Sequence, residues 1–344
     1  MSNPLFAWQT SAWDYFQSLR DRMPHAFLLY GPQGIGKSLF AEHMAQSLLC
    51  ERPDAHGHAC QACGSCGWFL QYSHPDYRRV RPELLDEEDA SSVEADVEAA
   101  TKTSKASKAP SKEIVINQIR GLSDFMNIST HRQGRRVIVL YPAEALNIPA
   151  ANALLKSLEE PSANTVFILV SNSLDKLLPT ILSRCHKFAL AMPERDQALA
   201  WLQAQGVKDP DVWLAQQGGA PLAALDMSQS DNRGELDDFL RQLSKPSADA
   251  SLKLADKMQK MEIITTVAWM QRWLYDLFSY KQAARIRYYP RYEREIKALA
   301  VRVDMNSLLR IIKNTNERQA IASHPLSAKL FLEDMLLEYS ALFA

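Results

Sequence analysis

The sequence lacks any apolar run long enough to cross a membrane. Its longest apolar stretches, such as FLLYG and VIVLY, have the length of strands, far below the ~20 residues that span a bilayer. The first residues, MSNPLFAWQTSAWDYF, contain no basic region followed by an apolar stretch and a cleavage site. We therefore expect no transmembrane helix, no secretory signal and no membrane partner, and we predict a cytoplasmic location.

An excess of charge of one sign is also missing. Thirty-nine Lys and Arg residues face 40 Asp and Glu residues, which leaves a net charge of −1. The chain thus has no overall field that would attract a polyanion, so contact with nucleic acid must be local or made by partners. At 344 residues with 47% hydrophobic and 23% charged residues, the composition is that of a globular protein of two or three domains.

Cysteine is scarce and unevenly placed. Four of the five cysteines lie within a 17-residue window, at Cys50, Cys60, Cys63 and Cys66. In a reducing compartment such grouping favours a metal site over disulfides. Four thiolates complete a tetrahedral zinc site, and closed sites of this kind are structural. We predict structural Zn²⁺ in an insertion over residues 50–66, with a catalytic metal or an iron–sulfur cluster as alternatives.

A glycine-rich segment, GPQGIGKS at residues 31–38, follows the apolar run PHAFLLY and precedes a helical pattern. Strand, loop and helix in this order are the context in which the P-loop motif is specific. Backbone amides at the helix start would receive phosphate oxygens, Lys37 would neutralise the outer phosphates, and Ser38 would ligate magnesium. The candidate nucleotide-binding residues are Gly31, Gly34, Gly36, Lys37 and Ser38. The alternative is a glycine turn that serves packing alone.

The acidic residues that such a loop needs for hydrolysis are absent from the strand VIVLY. An active site would place Asp and Glu at its end, where this chain has Tyr141 and Pro142. Neither side chain replaces a carboxylate as a magnesium ligand or base. Glu144 follows, and we expect it to be an exposed loop carboxylate roughly 6 to 10 Å beyond the strand. In the alternative of an independent ATPase, Glu144 would replace the missing acids.

Strand and helix patterns alternate up to Asn172, which indicates a parallel sheet with helices on both faces. The predicted elements include strands in YRRVRPE, VIVLY and TVFILVSN, and a helix in NIPAANALLKSLEEP that is capped by Asn147. After Asn172 the chain is predicted to be almost wholly helical. Residues 85–112 are nearly devoid of branched aliphatic residues, so we predict a disordered surface insertion there.

Four motifs together resemble the clamp-loader branch of the AAA+ ATPases. They are PHAFLLYGPQGIGKS, the four-cysteine insertion, ANALLKSLEEP and LLPTILSRC, and the resemblance covers roughly residues 24–221. It implies an α/β RecA-like AAA+ domain (residues 1–172), a small helical lid (173–226) and an all-α collar domain (227–344). It also implies a hetero-pentamer with gamma/tau-type motor subunits and delta-type subunits, which uses ATP to load the sliding clamp onto primer-template DNA.

The resemblance also assigns roles to individual residues. Active motor subunits carry their acids at the positions of Tyr141 and Pro142, and a lid arginine at about Leu222. We therefore expect no intrinsic ATPase activity, while binding of ATP or ADP stays open. In this family the arginine at the position of Arg184 enters the neighbouring subunit's nucleotide site. The alternative is that Arg184 forms an ion pair with its own helix. Asn172 matches a phosphate-sensing position, but we expect it only to end a strand.

The segment from Lys281 to Arg302 interleaves basic residues with tyrosines. This composition occurs in proteins that bind single strands, but two glutamates dilute its charge, so we expect a solvated helix face or a subunit contact. A zinc-containing DNA-binding module that uses the cysteines and this segment is the remaining alternative.

Overall fold

The computed structural model describes residues 5–87, 110–128, 130–131, 134–322 and 327–343. The chain divides into two compact units, Met1–Met192 and Pro193–Ala344. Most of the predicted disordered insertion, residues 88–109, lies outside the described residues. The predicted division into domain, lid and collar at residues 172 and 226 stays a prediction.

The first unit is built on a five-stranded parallel sheet with the order β2-β3-β4-β1-β5. The strands are β1 Ala26–Tyr30, β2 Tyr77–Val80, β3 Arg136–Leu140, β4 Thr165–Ser171 and β5 His186–Ala189. Strands β3 and β4 are buried along their whole length, as expected for apolar strands covered on both faces. The predicted parallel sheet is confirmed.

Helices cover both faces of this sheet. Alternate residues of β1 point to opposite sides: Phe27 contacts Phe16, with ring centroids 5.8 Å apart, whereas Leu28 belongs to a core cluster that includes Leu154. The helices are α1 Thr10–Ser18, α2 Lys37–Leu49, α3 Gly64–Leu70, α4 Ile116–Asn127, α5 Ile148–Glu159 and α6 Pro179–Leu182. Helix α5 begins as predicted, because Asn147 Oδ1 accepts a hydrogen bond from the backbone N–H of Ala150 at 3.0 Å.

Strand β5 corrects the prediction that the chain is almost wholly helical after Asn172. It pairs with β1 at one end of the sheet order. Only Phe188 of its four residues is buried, and this ring packs near Phe40, with centroids 5.9 Å apart. A strand with a single buried side chain has too weak a periodicity to be recognised in the sequence.

The second unit is wholly helical in its described residues. Its helices are α7 Arg195–Ala204, α8 Pro210–Gln216, α9 Pro221–Gln229, α10 Arg233–Ser244, α11 Ala248–Lys257, α12 Ile263–Ala283, α13 Glu293–Arg302, α14 Met305–Ile321 and α15 Ala328–Ala341. Its large core contains Trp273 and Tyr339, which are joined by a hydrogen bond of 2.8 Å from Nε1 to the phenol oxygen. Among the described helices, none has both the length and the apolar character that a membrane span needs.

Candidate functional site

The glycine loop at residues 31–38 connects the end of β1 to the start of α2. Two of its glycines have surroundings that leave no room for a side chain. A Cβ atom on Gly31 would lie 2.2 Å from the carbonyl oxygen of Leu190, and one on Gly36, which has φ +87°, would lie 2.7 Å from the Phe6 ring. The loop therefore needs glycine at these positions for packing as well as for any approach to phosphate.

The segment before α1 covers this loop. Trp8 Nε1 donates a hydrogen bond to the Ile35 carbonyl oxygen at 3.1 Å, and Gln9 Nε2 donates to that of Gly36 at 3.1 Å. Phe6 stacks on Trp8, with ring centroids 4.6 Å apart. These contacts within the chain fix the conformation of the loop. Sequence reasoning missed them, because no motif marks these residues.

Lys37, the cation of the loop, is directed inward. Its side chain is buried, with 5% of the residue exposed, and Nζ donates a hydrogen bond to the Pro32 carbonyl oxygen at 2.5 Å. Burial lowers the pKa of Lys37 to about 8, and the negative charge of Glu144 opposes part of this shift. The lysine thus has an internal acceptor and a nearby counter-charge within its own chain.

Tyr141 stands where an active ATPase would have a metal-binding carboxylate. Its hydroxyl donates a hydrogen bond to Glu42 Oε1 at 3.3 Å. Burial, with a further contribution from the charge of Glu42, raises the pKa of Tyr141 to about 12, so the phenol stays neutral. Glu42 itself lies 3.6 Å from Arg79 Nη1 and accepts a hydrogen bond from the Tyr72 hydroxyl at 3.4 Å. The carboxylate beside Tyr141 is therefore committed to this buried cluster.

Glu144 is not the exposed loop carboxylate that the sequence suggested. The chain turns back in a short 3-10 helix, Ala143–Ala145, instead of extending beyond β3. The Glu144 residue is half-buried, and its Oε1 accepts hydrogen bonds from the backbone N–H of Asn172 at 3.0 Å and from Asn172 Nδ2 at 2.9 Å. Oε2 is buried and makes no hydrogen bond to any described residue. Asn172 ends β4 as expected and, in addition, fixes this carboxylate.

Arg184 lies just after α6 with 32% of its side chain exposed. Nη1 donates hydrogen bonds to the Thr180 carbonyl oxygen at 2.9 Å and to Ser183 Oγ at 3.3 Å, and Nη2 forms an ion pair with Glu159. The ion pair joins the arginine to the last residue of α5. Arg184 Nε has no partner among the described residues. A half-exposed guanidinium is thus held in place with part of its donor capacity unused.

The four clustered cysteines converge as predicted. Their Sγ atoms all lie within 4.8 Å of one another, and those of Cys50 and Cys63 are 4.0 Å apart. Four sulfurs at about 2.3 Å from a tetrahedral zinc ion would be about 3.8 Å apart. Two backbone N–H groups also point to sulfur, from Cys60 to Cys50 at 3.2 Å and from Cys66 to Cys63 at 3.4 Å. The cluster therefore fits a metal ion with four thiolate ligands.

The cysteine cluster is attached to the far end of the helix that begins at the glycine loop. Cys50 directly follows Leu49, the last residue of α2. On the same helix, His43 Nε2 is 3.0 Å from Nδ1 of His58, and His58 stacks on Trp13 with ring centroids 4.7 Å apart. The cysteine insertion is thus packed against α2, so a bound metal would stabilise that end of the helix.

A parallel sheet in this order, with a P-loop between β1 and α2 and a second, all-helical unit, defines a P-loop protein of the AAA+ class. Two family models match the chain: "DNA polymerase III, delta subunit" over residues 8–194, and "DNA polymerase III, delta subunit, C terminal" over residues 229–341. With the relatives below, these matches show that the chain belongs to the family of DNA polymerase III delta and delta-prime subunits.

The curated relatives that carry the name DNA polymerase III subunit delta' include proteins from three bacteria. The protein from Pseudomonas aeruginosa is 36% identical over 80% of this chain and 78% of its own. The protein from Haemophilus influenzae is 30% identical over 75% of this chain and 71% of its own. The protein from Escherichia coli is 30% identical over 60% of this chain and 55% of its own. A solved structure of a DNA polymerase III gamma subunit-related protein from Thermotoga maritima has a TM-score of 0.45 at 16% identity and covers 96% of this chain and 100% of its own.

Proposed function

We propose that this chain is a clamp-loader subunit that does not hydrolyse ATP at its own loop and that supplies Arg184 to the nucleotide of a neighbouring motor subunit. The partners would be gamma/tau-type motor subunits and delta-type subunits in a hetero-pentamer that places the sliding clamp on primer-template DNA. The observation that carries this proposal is the position of Tyr141, whose hydroxyl is hydrogen-bonded to Glu42 at 3.3 Å where a metal-binding carboxylate would stand.

The absence of hydrolysis follows from the ligands that magnesium requires. Mg²⁺ is held in nucleotide sites by carboxylates together with phosphate oxygens. Tyr141 stays a neutral phenol because its pKa is raised to about 12, and Pro142 has no polar side chain. Glu144 has one carboxylate oxygen engaged by two N–H groups of Asn172, which restrains it as a base. The independent-ATPase alternative is therefore less well supported.

Arg184 has the properties of a group that acts on a neighbouring subunit. A guanidinium placed beside the transferred phosphoryl group stabilises the charge that develops there. Glu159 and the Thr180 carbonyl hold the side chain, so less conformational freedom would be lost when it meets a phosphate. A merely structural arginine would form the same pair with Glu159, so the ATPase activity of an assembly that contains Arg184→Ala distinguishes the two roles.

For the four cysteines we propose a structural Zn²⁺ ion, since all four donors are thiols and no coordination position would be left open. When bound, zinc would join the end of α2 to the following insertion. We expect about one zinc per purified chain. Cys63→Ser should lose the metal and lower the free energy of unfolding by about 3 kcal/mol or more.

The matched control is Cys185→Ser, because Cys185 is buried outside the cluster. This variant should keep its zinc, whatever its effect on packing. Metal analysis of freshly purified, reduced protein checks both variants. If the purified wild-type protein contained no metal and adding zinc did not make it more stable, the proposed zinc site would be wrong.

The function is tested by ATP turnover of the isolated chain and of the chain with its motor partners. We expect no turnover above background from the isolated chain and normal DNA-stimulated turnover from the assembly. Saturable turnover by the isolated chain that is abolished by Lys37→Ala would favour the independent ATPase with Glu144 in place of the missing acids.

A further inference from the structure

The two ends of the basic segment Lys281 to Arg302 are helical, as one of the two expectations required, but its middle part forms a loop. Helix α12 ends at Ala283, Ala284 adopts left-handed backbone angles with φ +52°, and Pro290 begins a short 3-10 helix that leads to α13 at Glu293. The intervening residues line a cavity of about 860 Å³. Its charged lining residues are Arg195, Asp211, Arg285, Arg287 and Arg291.

A buried carboxylate fixes the backbone of this loop. Asp276, on α12, is 0% exposed. Its Oδ1 accepts a hydrogen bond from the backbone N–H of Arg287 at 2.8 Å, its Oδ2 accepts one from that of Tyr289 at 2.7 Å, and both oxygens accept from that of Tyr288. Three successive peptide groups are thereby anchored to one side chain. The neighbouring arginines consequently extend from a defined backbone.

Two of the four arginines carry charge that no carboxylate of the described residues neutralises by an ion pair. Arg291 pairs with Asp209 at 2.5 Å and Arg195 pairs with Asp211 at 2.7 Å. Arg285 and Arg287 are both exposed and form no ion pair with a described residue, although the buried Asp276 carboxylate interacts electrostatically with Arg287. The cavity therefore has a local positive excess in a chain whose net charge is −1, so it should attract a polyanion that the whole chain would not.

An exposed aromatic ring stands beside these charges. Tyr275 lines the cavity with 41% of the residue exposed, and its ring meets that of Tyr288 edge to face, with centroids 5.4 Å apart. An exposed tyrosine next to exposed arginines without ion pairs provides the two contacts that single-stranded nucleic acid uses, a stacking surface for a base and cations for the phosphates. An acidic peptide would use the arginines but would gain little from the ring.

We propose that this cavity binds single-stranded nucleic acid, with Arg285 and Arg287 on successive phosphates and Tyr275 against a base. The site is independent of the glycine loop and of Arg184, which belong to the first unit. It adds a nucleic-acid contact to the chain itself, where the proposed function needs only contacts between subunits.

The test is fluorescence anisotropy of the full-length chain with a labelled thymidine oligonucleotide of about 20 nucleotides, at several salt concentrations. We expect wild-type dissociation constants of about 1 to 100 µM, the range of non-specific binding. The double variant Arg285→Ala, Arg287→Ala should weaken binding at least about tenfold and reduce the slope of log affinity against log salt by about 1.4, since two phosphate contacts are lost. Tyr275→Ala should weaken binding at least about fivefold with an unchanged slope.

The matched control is the double variant Arg294→Ala, Lys297→Ala, which removes two charges of the same basic segment outside the cavity lining. It should bind like the wild type. If both double variants weakened oligonucleotide binding equally, the cavity would not be the site, because the oligonucleotide would then be attracted by positive charge alone. The nucleic-acid assignment would be overturned if polyglutamate competed as strongly as unlabelled oligonucleotide. It would also be overturned if the oligonucleotide did not bind at low salt.

Discussion

Two cations of the first unit, Lys37 and Arg184, differ in where their charge is directed. Lys37 is 5% exposed and donates to the Pro32 carbonyl of its own loop. The Arg184 side chain is 32% exposed and is held by Glu159 at the surface, with Nε unpaired among the described residues. Both cations have partners within their own chain, but Lys37 is buried, whereas the Arg184 side chain is partly exposed.

The glycine loop has a structural role in addition to any binding of nucleotide. Phe6 packs on Gly36, and Trp8 and Gln9 donate hydrogen bonds to loop carbonyls. Changes in the loop would therefore disturb the packing of the first helices as well as any nucleotide site. At the end of β3, the Tyr141 hydroxyl donates a hydrogen bond to Glu42, so this partly buried polar group is not left unpaired.

The largest expected change in ADP affinity comes from removing the charge of Lys37. Lys37→Ala should weaken ADP binding by the isolated chain about 30- to 100-fold, because a charge-assisted bond to phosphate is lost. Isothermal titration calorimetry would measure the change. If the variant and the wild type bind ADP equally, the loop serves packing alone.

Removal of the negative charge near Lys37 should have the opposite effect. Glu144→Gln keeps a group that Asn172 can donate to but removes repulsion against a bound phosphate, so ADP affinity at pH 7 should rise about fivefold. Glu113→Gln, an exposed glutamate outside the loop, should leave it unchanged. Weaker ADP binding by Glu144→Gln would instead indicate that Glu144 assists nucleotide binding, as the independent-ATPase alternative requires.

The smallest expected effect is the pH dependence of ADP binding. The pKa of Lys37 is lowered to about 8, and phosphate binds the charged lysine, so affinity should be constant well below pH 8 and fall as the pH rises through it. Between pH 7.5 and 8.5 the charged fraction, and with it the affinity, should fall about threefold. Lys37→Arg should remove this dependence, since arginine stays charged; an unchanged profile in that variant would assign the titration to another group.

Much of this molecule could be predicted from its sequence because the signals are local. The apolar strands, the glycine loop, the Asn147 cap and the cysteine spacing each depend on residues close together in the chain, and the structure confirms the sheet, the cap and the cluster. The family assignment was also correct, because it rested on several motifs in a fixed order.

The failures concern contacts between residues distant in sequence. The partners of Tyr141 and Glu144, which are Glu42 and Asn172, lie 99 and 28 residues away, and no spacing rule connects them. Strand β5 was missed because one buried residue gives no periodicity. The Asp276 anchor was missed because a lone acid in an amphipathic helix has the pattern of a solvated residue.

We propose that Arg184, and not the loop at Lys37, is the group of this chain that acts in ATP hydrolysis. The most direct measurement is the DNA-stimulated ATPase rate of loaders reconstituted with either Arg184→Ala or Lys37→Ala in this subunit. We predict that Arg184→Ala lowers turnover at the adjacent motor site about 10³-fold, while Lys37→Ala changes it by less than about twofold. Normal ATPase activity and clamp loading with Arg184→Ala, or a severe loss with Lys37→Ala alone, would show that Arg184 does not have this role.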